Sequence, residues 1–141
     1  TNVVVLPELA NPLHAALIEP LAVAIHAVNR VGGVAGQAVL VIGGGPIGQS
    51  CVLAAFRDGA GRVFVSEPNE GRRAICSSLG AEVIDPSSGD VPESVRELTG
   101  GLGADEAIDA VGNTATISDA LRSTVLGGRV CLVGMAQPTV T

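Results

Sequence analysis

The stretch VLVIGGGPIGQS, Val39–Ser50, decides how the rest of the chain reads. It opens inside a run of apolar residues, Ala38–Ile42, which fits a strand buried on both faces. The spacing Gly43-x-Gly45-x-x-Gly48 then leads into a helical stretch from Pro46 to Asp58, closed by Gly59. Each residue of the loop has a mechanical reading. Gly43 permits a tight turn, Gly45 removes a side chain where a diphosphate must approach the backbone, and Gly48 lets the helix pack against the strand. Pro46 suits the first helical position, where its missing N–H is no loss. Amides around Ile47 and Gly48 would be the donors, at a helix N-terminus whose dipole favours anions.

Downstream, RVFVS (Arg62–Ser66) reads as a second strand and runs straight into Glu67, about 20 positions after Gly48, as a dinucleotide fingerprint expects. A carboxylate there can accept hydrogen bonds from both hydroxyls of a ribose, and it repels a 2′-phosphate. That favours NAD over NADP. Arg72 and Arg73 follow closely and keep a phosphate open. The loop and the acid are shared by other nucleotide binders. Flavoprotein disulfide reductases also use a strand, GGGPxG, a helix and a second strand ending in Glu, and methyltransferases pair a glycine loop with an acid.

Strand and helix alternate through the remainder. Glu70–Leu79 reads as a helix stopped by Gly80, Glu82–Asp85 as a third strand and Val91–Leu98 as a helix. Glu106–Val111 reads as a fourth strand, Thr114–Leu126 as a helix and Arg129–Val133 as a fifth strand. Such alternation implies right-handed crossovers and a parallel sheet. Ahead of the loop, Asn2–Leu6 reads as extended and Leu13–Val31 as an Ala-rich helix stopped by Gly32 and Gly33. Pro20 predicts a break or restart in that helix, with Glu19 at the junction.

Composition narrows the functions. The 141 residues suffice for one domain and one core. Apolar residues make up 47%, yet no run approaches the roughly 18 residues of a membrane helix. The net charge of −6 and the lack of a basic stripe argue against nucleic acid and anionic membrane as partners. Cys51, Cys76 and Cys131 are odd in number and fit no metal-ligand spacing, so they read as small buried hydrophobes in a reduced, cytoplasmic setting. The chain opens on Thr1 without a charged leader region, which suggests a fragment.

From Ala15 onward the sequence resembles the zinc-dependent medium-chain dehydrogenases, in particular the sorbitol and butanediol dehydrogenase branch. The stretches that carry the resemblance are ALIEPLAVAIHAV (Ala16–Val28), VLVIGGGPIGQ (Val39–Gln49) and VFVSEPNEGRRAICSSLGAE (Val63–Glu82), then GGLGADEAIDAVG (Gly100–Gly112) and GGRVCLVGM (Gly127–Met135). Their order and spacing are those of the family across almost the whole chain.

The resemblance implies a Rossmann-type doubly wound parallel sheet of order 3-2-1-4-5, with a sixth strand expected beyond Thr141. It implies that residues 1–141 are the NAD-binding domain only, without the catalytic domain that precedes it in the family. It assigns Gly43, Gly45, Pro46, Ile47 and Gly48 to the pyrophosphate, and Glu67 and Arg72 to the adenosine ribose. Val111 falls to the adenine or ribose cleft, and Val133, Gly134 and Met135 to the nicotinamide side. Glu19 matches a glutamate facing the catalytic zinc in that branch; on residues alone it is an ordinary acid beside a helix restart. His26 reads as a satisfied helical histidine rather than a second ligand, and Asp109 as structural. The implied whole enzyme moves a hydride between a secondary alcohol or polyol and NAD, with zinc, and assembles as a homo-oligomer. This chain by itself is expected to lack that activity, and no catalytic residue is assigned to it. Two other readings stand beside it: a non-catalytic nucleotide-sensing module and an FAD-binding flavoprotein segment.

Overall fold

The computed structural model describes residues 5–8 and 11–135. At its centre lies β1 (Ala38–Ile42), flanked by β2 (Arg62–Ser66) and β4 (Ala104–Asp109), with β3 (Glu82–Ile84) and β5 (Thr124–Leu132) at the two edges. Every pairing is parallel and the order is β3-β2-β1-β4-β5. This is a Rossmann-like sheet, as the alternation of strand and helix predicts.

The unbroken apolar run of β1 follows from its position. Val39 and Val41 face one side, with Val63, Val65 and Ile108, and are covered by α2 (Ile18–Arg30), α3 (Pro46–Arg57) and Cys76 of α4 (Glu70–Ser78). Leu40 and Ile42 face the other, with Phe64, Ile84 and Ala107, under α5 (Val91–Leu98) and α6 (Thr114–Ser123). Two cores therefore share one strand, and period-2 alternation assigns each side chain to its layer. Phe64 is fully buried, which stabilises the fold by about 2–3 kcal/mol relative to an exposed ring. Ala24, Ala27, Ala54 and Ala55 are all buried, so the layer of α2 and α3 is built from short side chains.

The restart expected at Pro20 is present: after α1 (Pro12–Ala15) the chain is interrupted and α2 begins at Ile18, with Glu19 and Pro20 in its first turn. Leu21 N–H, bonded to Leu17 O at 3.0 Å, lies just past the four donors that have no intrahelical partner, so a proline at position 20 removes nothing. Three other boundaries differ from the sequence reading. α6 stops at Ser123 instead of Leu126, because β-branched Thr124 turns extended (φ −89°, ψ 140°) and pairs with Ala104. β5 accordingly starts five residues earlier than expected, and its register shifts where Gly127 takes φ +86°. β4 begins at Ala104 and ends at Asp109, whose carboxylate takes the next amides out of the ladder. Of the predicted opening segment Asn2–Leu6, Asn2, Val3 and Val4 lie outside the described residues. Among the described residues, no helix is long and apolar enough to cross a membrane.

Candidate functional site

The carboxyl ends of β1, β2 and β4 meet at one edge of the sheet. Gly43 N–H donates to Ser66 O at 2.8 Å and Ala110 N–H to Ile42 O at 2.9 Å, which stitches the three strand ends together. Beside them is a cavity of about 300 Å³, lined by Gly43, Glu67, Pro68, Arg72, Pro86, Val111, Asn113, Thr116 and Asp119, with Ile42 and Ser66 at its floor. Four of the residues expected at a cofactor (Gly43, Glu67, Arg72 and Val111) thus share one wall.

The glycine loop has the geometry its spacing predicts. Gly43 sits at φ +96°, which only glycine adopts readily. A Cβ on Gly48 would lie 1.7 Å from Gly43 O, so the start of α3 touches the loop backbone and admits no side chain there. A Cβ on Gly45 would meet nothing within 4 Å. That open space at a helix N-terminus is where an anion fits. The end of α3 is also left without a side-chain cap: Gly45 occupies the N-cap and Pro46 the first helical position, while Asn11, Asn69, Asp90 and Asn113 cap α1, α4, α5 and α6. Among the described residues, then, no capping side chain bonds to the amides at this helix start.

Glu67 is 3% exposed. Its Oε2 accepts Gly44 N–H at 2.7 Å and its Oε1 accepts Asn69 N–H at 2.8 Å. A carboxylate offers about four acceptor positions, so about two remain for a ligand. The two arginines left open by the sequence separate cleanly. Arg73 donates to Glu67 O (2.9 Å) and Pro68 O (2.7 Å) and pairs with Asp85 at 2.9 Å, which commits it to holding β2 against β3. Arg72 is exposed, lies 3.8 Å from Glu67 Oε2 and lines the cavity, so it alone of the pair can reach a ligand. Asp119, on the far wall, has its carboxyl pushed up, first by burial and then by Asp90. Burial and the neighbouring Glu67 push the Cys76 thiol up as well.

The nicotinamide-side residues stand at the end of β5. Val133 and Gly134 donate to Asp109 O at 2.8 and 2.9 Å, and Gly134 lies so close to Val111 and Gly112 that a Cβ would come within 2.3 Å of backbone. Met135 is almost wholly exposed. Val133 also lines a second, larger cavity of about 480 Å³ between α2 and β5, shared with His26, Arg30 and Cys131. Glu19 is exposed in the first turn of α2 and lines neither cavity. Among the described residues no three His, Cys, Asp or Glu side chains converge on a metal position. One carboxylate is not a zinc site, which takes four ligands. Asp109, fully buried, accepts Val111 N–H, Gly112 N–H and the Thr116 hydroxyl, and is structural as expected.

Sequence reasoning missed Pro86, Asn113, Thr116 and Asp119 at the cavity, and Gly44 as the partner of Glu67. Asn113-x-x-Thr116 carries a capping signature that was legible; the others take their places only through the tertiary fold.

The sequence model of the zinc-binding dehydrogenases matches residues 46–141. The chain is similar to L-idonate 5-dehydrogenase of Vitis vinifera, 39% identical over 96% of this chain and 38% of that one. Among solved structures it is similar to 2R,3R-butanediol dehydrogenase of Bacillus subtilis, with TM-score 0.89, 32% identity, and coverage of 96% of this chain and 39% of that one. A zinc-binding dehydrogenase structure from Sinorhizobium meliloti 1021, bound to NADP, gives TM-score 0.90 at 34% identity, covering 96% of this chain and 40% of that one. The chain thus spans about two fifths of the length of these relatives.

Proposed function

This chain belongs to the zinc-binding dehydrogenase family, and we propose that residues 1–141 form the NAD-binding domain of an enzyme that oxidises a secondary alcohol or polyol. The observation that carries the reading is the pairing of an uncapped, side-chain-free N-terminus of α3 with a buried carboxylate at the end of β2. The first suits a diphosphate, through Gly45, Ile47 and Gly48. The second suits a ribose diol, through the two remaining acceptor positions of Glu67. Pro46 sets the helix start, Arg72 and Val111 flank the adenosine, and Val133, Gly134 and Met135 are the backbone beside the nicotinamide. When bound, the dinucleotide supplies hydride transfer at its nicotinamide ring, and this chain supplies its position.

NAD is favoured over NADP. Glu67 and Asp119 both line the cavity, and a 2′-phosphate, which only accepts hydrogen bonds at neutral pH, would share it with two acids. Arg72 supports the opposite reading, as does the NADP in the Sinorhizobium relative. Calorimetric titration with NADH and NADPH separates them. NADH is expected to bind at least about tenfold more tightly, and Glu67→Ala to weaken NADH by roughly tenfold or more while narrowing the ratio, since bonds to a charged acceptor contribute about 1.5–3 kcal/mol each. Equal binding of both cofactors, undisturbed by Glu67→Ala, would sink the NAD assignment.

Glu19 is proposed as this chain's contribution at the catalytic zinc. Among the described residues the donor set does not by itself fit a zinc ion, so the further ligands would come from outside them. The substrate class, a secondary alcohol or polyol, and a homo-oligomeric whole enzyme are proposed on resemblance to the family.

A further inference from the structure

The loop between β1 and α3 is held by side chains at two successive peptide planes. Gly44 N–H points at Glu67 Oε2, 2.7 Å away, so the Gly43–Gly44 plane is fixed by the acid. Gly44 O accepts Gln49 Nε2 at 2.8 Å, which fixes the Gly44–Gly45 plane. In a trans peptide C=O and N–H point opposite ways, so Gln49 turns the Gly45 N–H away from itself. Space around Gly44 is tight: a Cβ there would sit 3.0 Å from both Glu67 Cγ and Cys76 Sγ.

Resting on the reading that Glu67 meets the ribose, we propose that Glu67 is also a positioning residue for the diphosphate loop, with Gln49 as its counterpart. Recognition of the ribose and of the diphosphate is then coupled through Gly44. The carboxylate is required for a reason distinct from its charge on the ribose. Two N–H donors, from Gly44 and Asn69, approach its two different oxygens. A carboxamide has one oxygen and turns an NH₂ toward the second donor, so it satisfies only one of them.

The test uses ADP and 2′,3′-dideoxy-ADP as calorimetric probes of the chain, with amide hydrogen exchange at Gly44 read in the unliganded state. Glu67→Gln is expected to weaken dideoxy-ADP by about fivefold, although that probe has no ribose hydroxyl to lose, and to weaken ADP further. Gln49→Ala is expected to weaken both probes by the same factor, and it serves as the second variant where Glu67→Gln folds poorly. Gly44 exchange is expected to rise about tenfold in Glu67→Ala, which leaves neither donor an acceptor. Dideoxy-ADP binding that is unchanged in all of these variants, or unchanged Gly44 exchange in Glu67→Ala with ADP still bound, overturns the coupling and leaves the cofactor reading intact. Failure of the unaltered chain to bind ADP overturns the cofactor reading itself, and the coupling with it.

Discussion

The N-termini of α3 and α6 follow the neighbouring strands β1 and β4, on opposite faces of the sheet, and they are finished in opposite ways. At α6 the donors are consumed internally. Asn113 Oδ1 accepts Thr116 N–H at 3.0 Å, Thr116 Oγ1 accepts Asn113 N–H at 3.1 Å, and Asp109 takes the amides of Val111 and Gly112. At α3 a glycine stands where the capping side chain would be, and the space above it is open. Both ends carry the same positive dipole. The difference teaches where a ligand can bind: at the end whose donors the fold leaves free, not at the end where a capping box and a buried aspartate already occupy them.

That contrast can be broken at its strongest point first. Gly48→Ala would drive a methyl into Gly43 O, and the loop backbone has no flexible side chain to yield. A loss of at least about 3 kcal/mol in urea denaturation is expected, together with loss of cofactor binding. A variant of near-native stability would mean that α3 does not start against the loop.

The next test exchanges the behaviour of the two ends. Gly45→Val meets only open space and normal backbone angles, so NADH affinity is expected to fall about tenfold or more, measured by calorimetry, at a stability cost of about 1 kcal/mol for an apolar N-cap. Asn113→Ala should cost about as much stability with a much smaller loss of NADH affinity. Matching losses of NADH affinity from the two substitutions would erase the distinction between them.

The smallest effect concerns the carboxylate cap of α5. Asp90 accepts Glu93 N–H at 3.0 Å, and this bond, then Arg122, holds its carboxyl below the usual range. A depressed folded-state value means that the stabilisation is present above the ordinary carboxylate pKa and is lost as pH falls through the folded value. Asp90→Asn keeps an oxygen acceptor but removes the charge. Its urea midpoint is therefore expected to fall less steeply than that of the unaltered chain on acidification below about pH 4. Identical slopes would show that the charge of this cap contributes nothing.

Several elements were legible because local chemistry and tertiary packing agree. AVLVI, RVFVS and VPESVREL take the predicted bounds, the strands because parallel strands buried on both faces read as continuous apolar runs, α5 because Asp90 and Pro92 mark its start. Where a local signal competed with pairing, the pairing won. Thr124 and Val125 left the helix to join β4, and Asp109 ended β4 two residues before its apolar pattern did. Pro20 marked the restart of its helix, because a proline costs no bond in the first turn, where the amide has no intrahelical partner.

Of the site, the sequence by itself determined the parts that depend on a residue's own backbone freedom or charge: a glycine loop before a helix, an acid at the end of the next strand, and the alternation that makes the sheet parallel. Only the tertiary structure decided which donors and acceptors those parts have left. It placed Arg73 in the β2–β3 corner and Arg72 at the cavity, and it gave Asp109 to the turn after β4. It also set Glu67 against Gly44 as well as against the cavity. The physical reason is that a hydrogen bond joins groups by distance and direction in space, and residues 23 positions apart acquire both only when the strands pair.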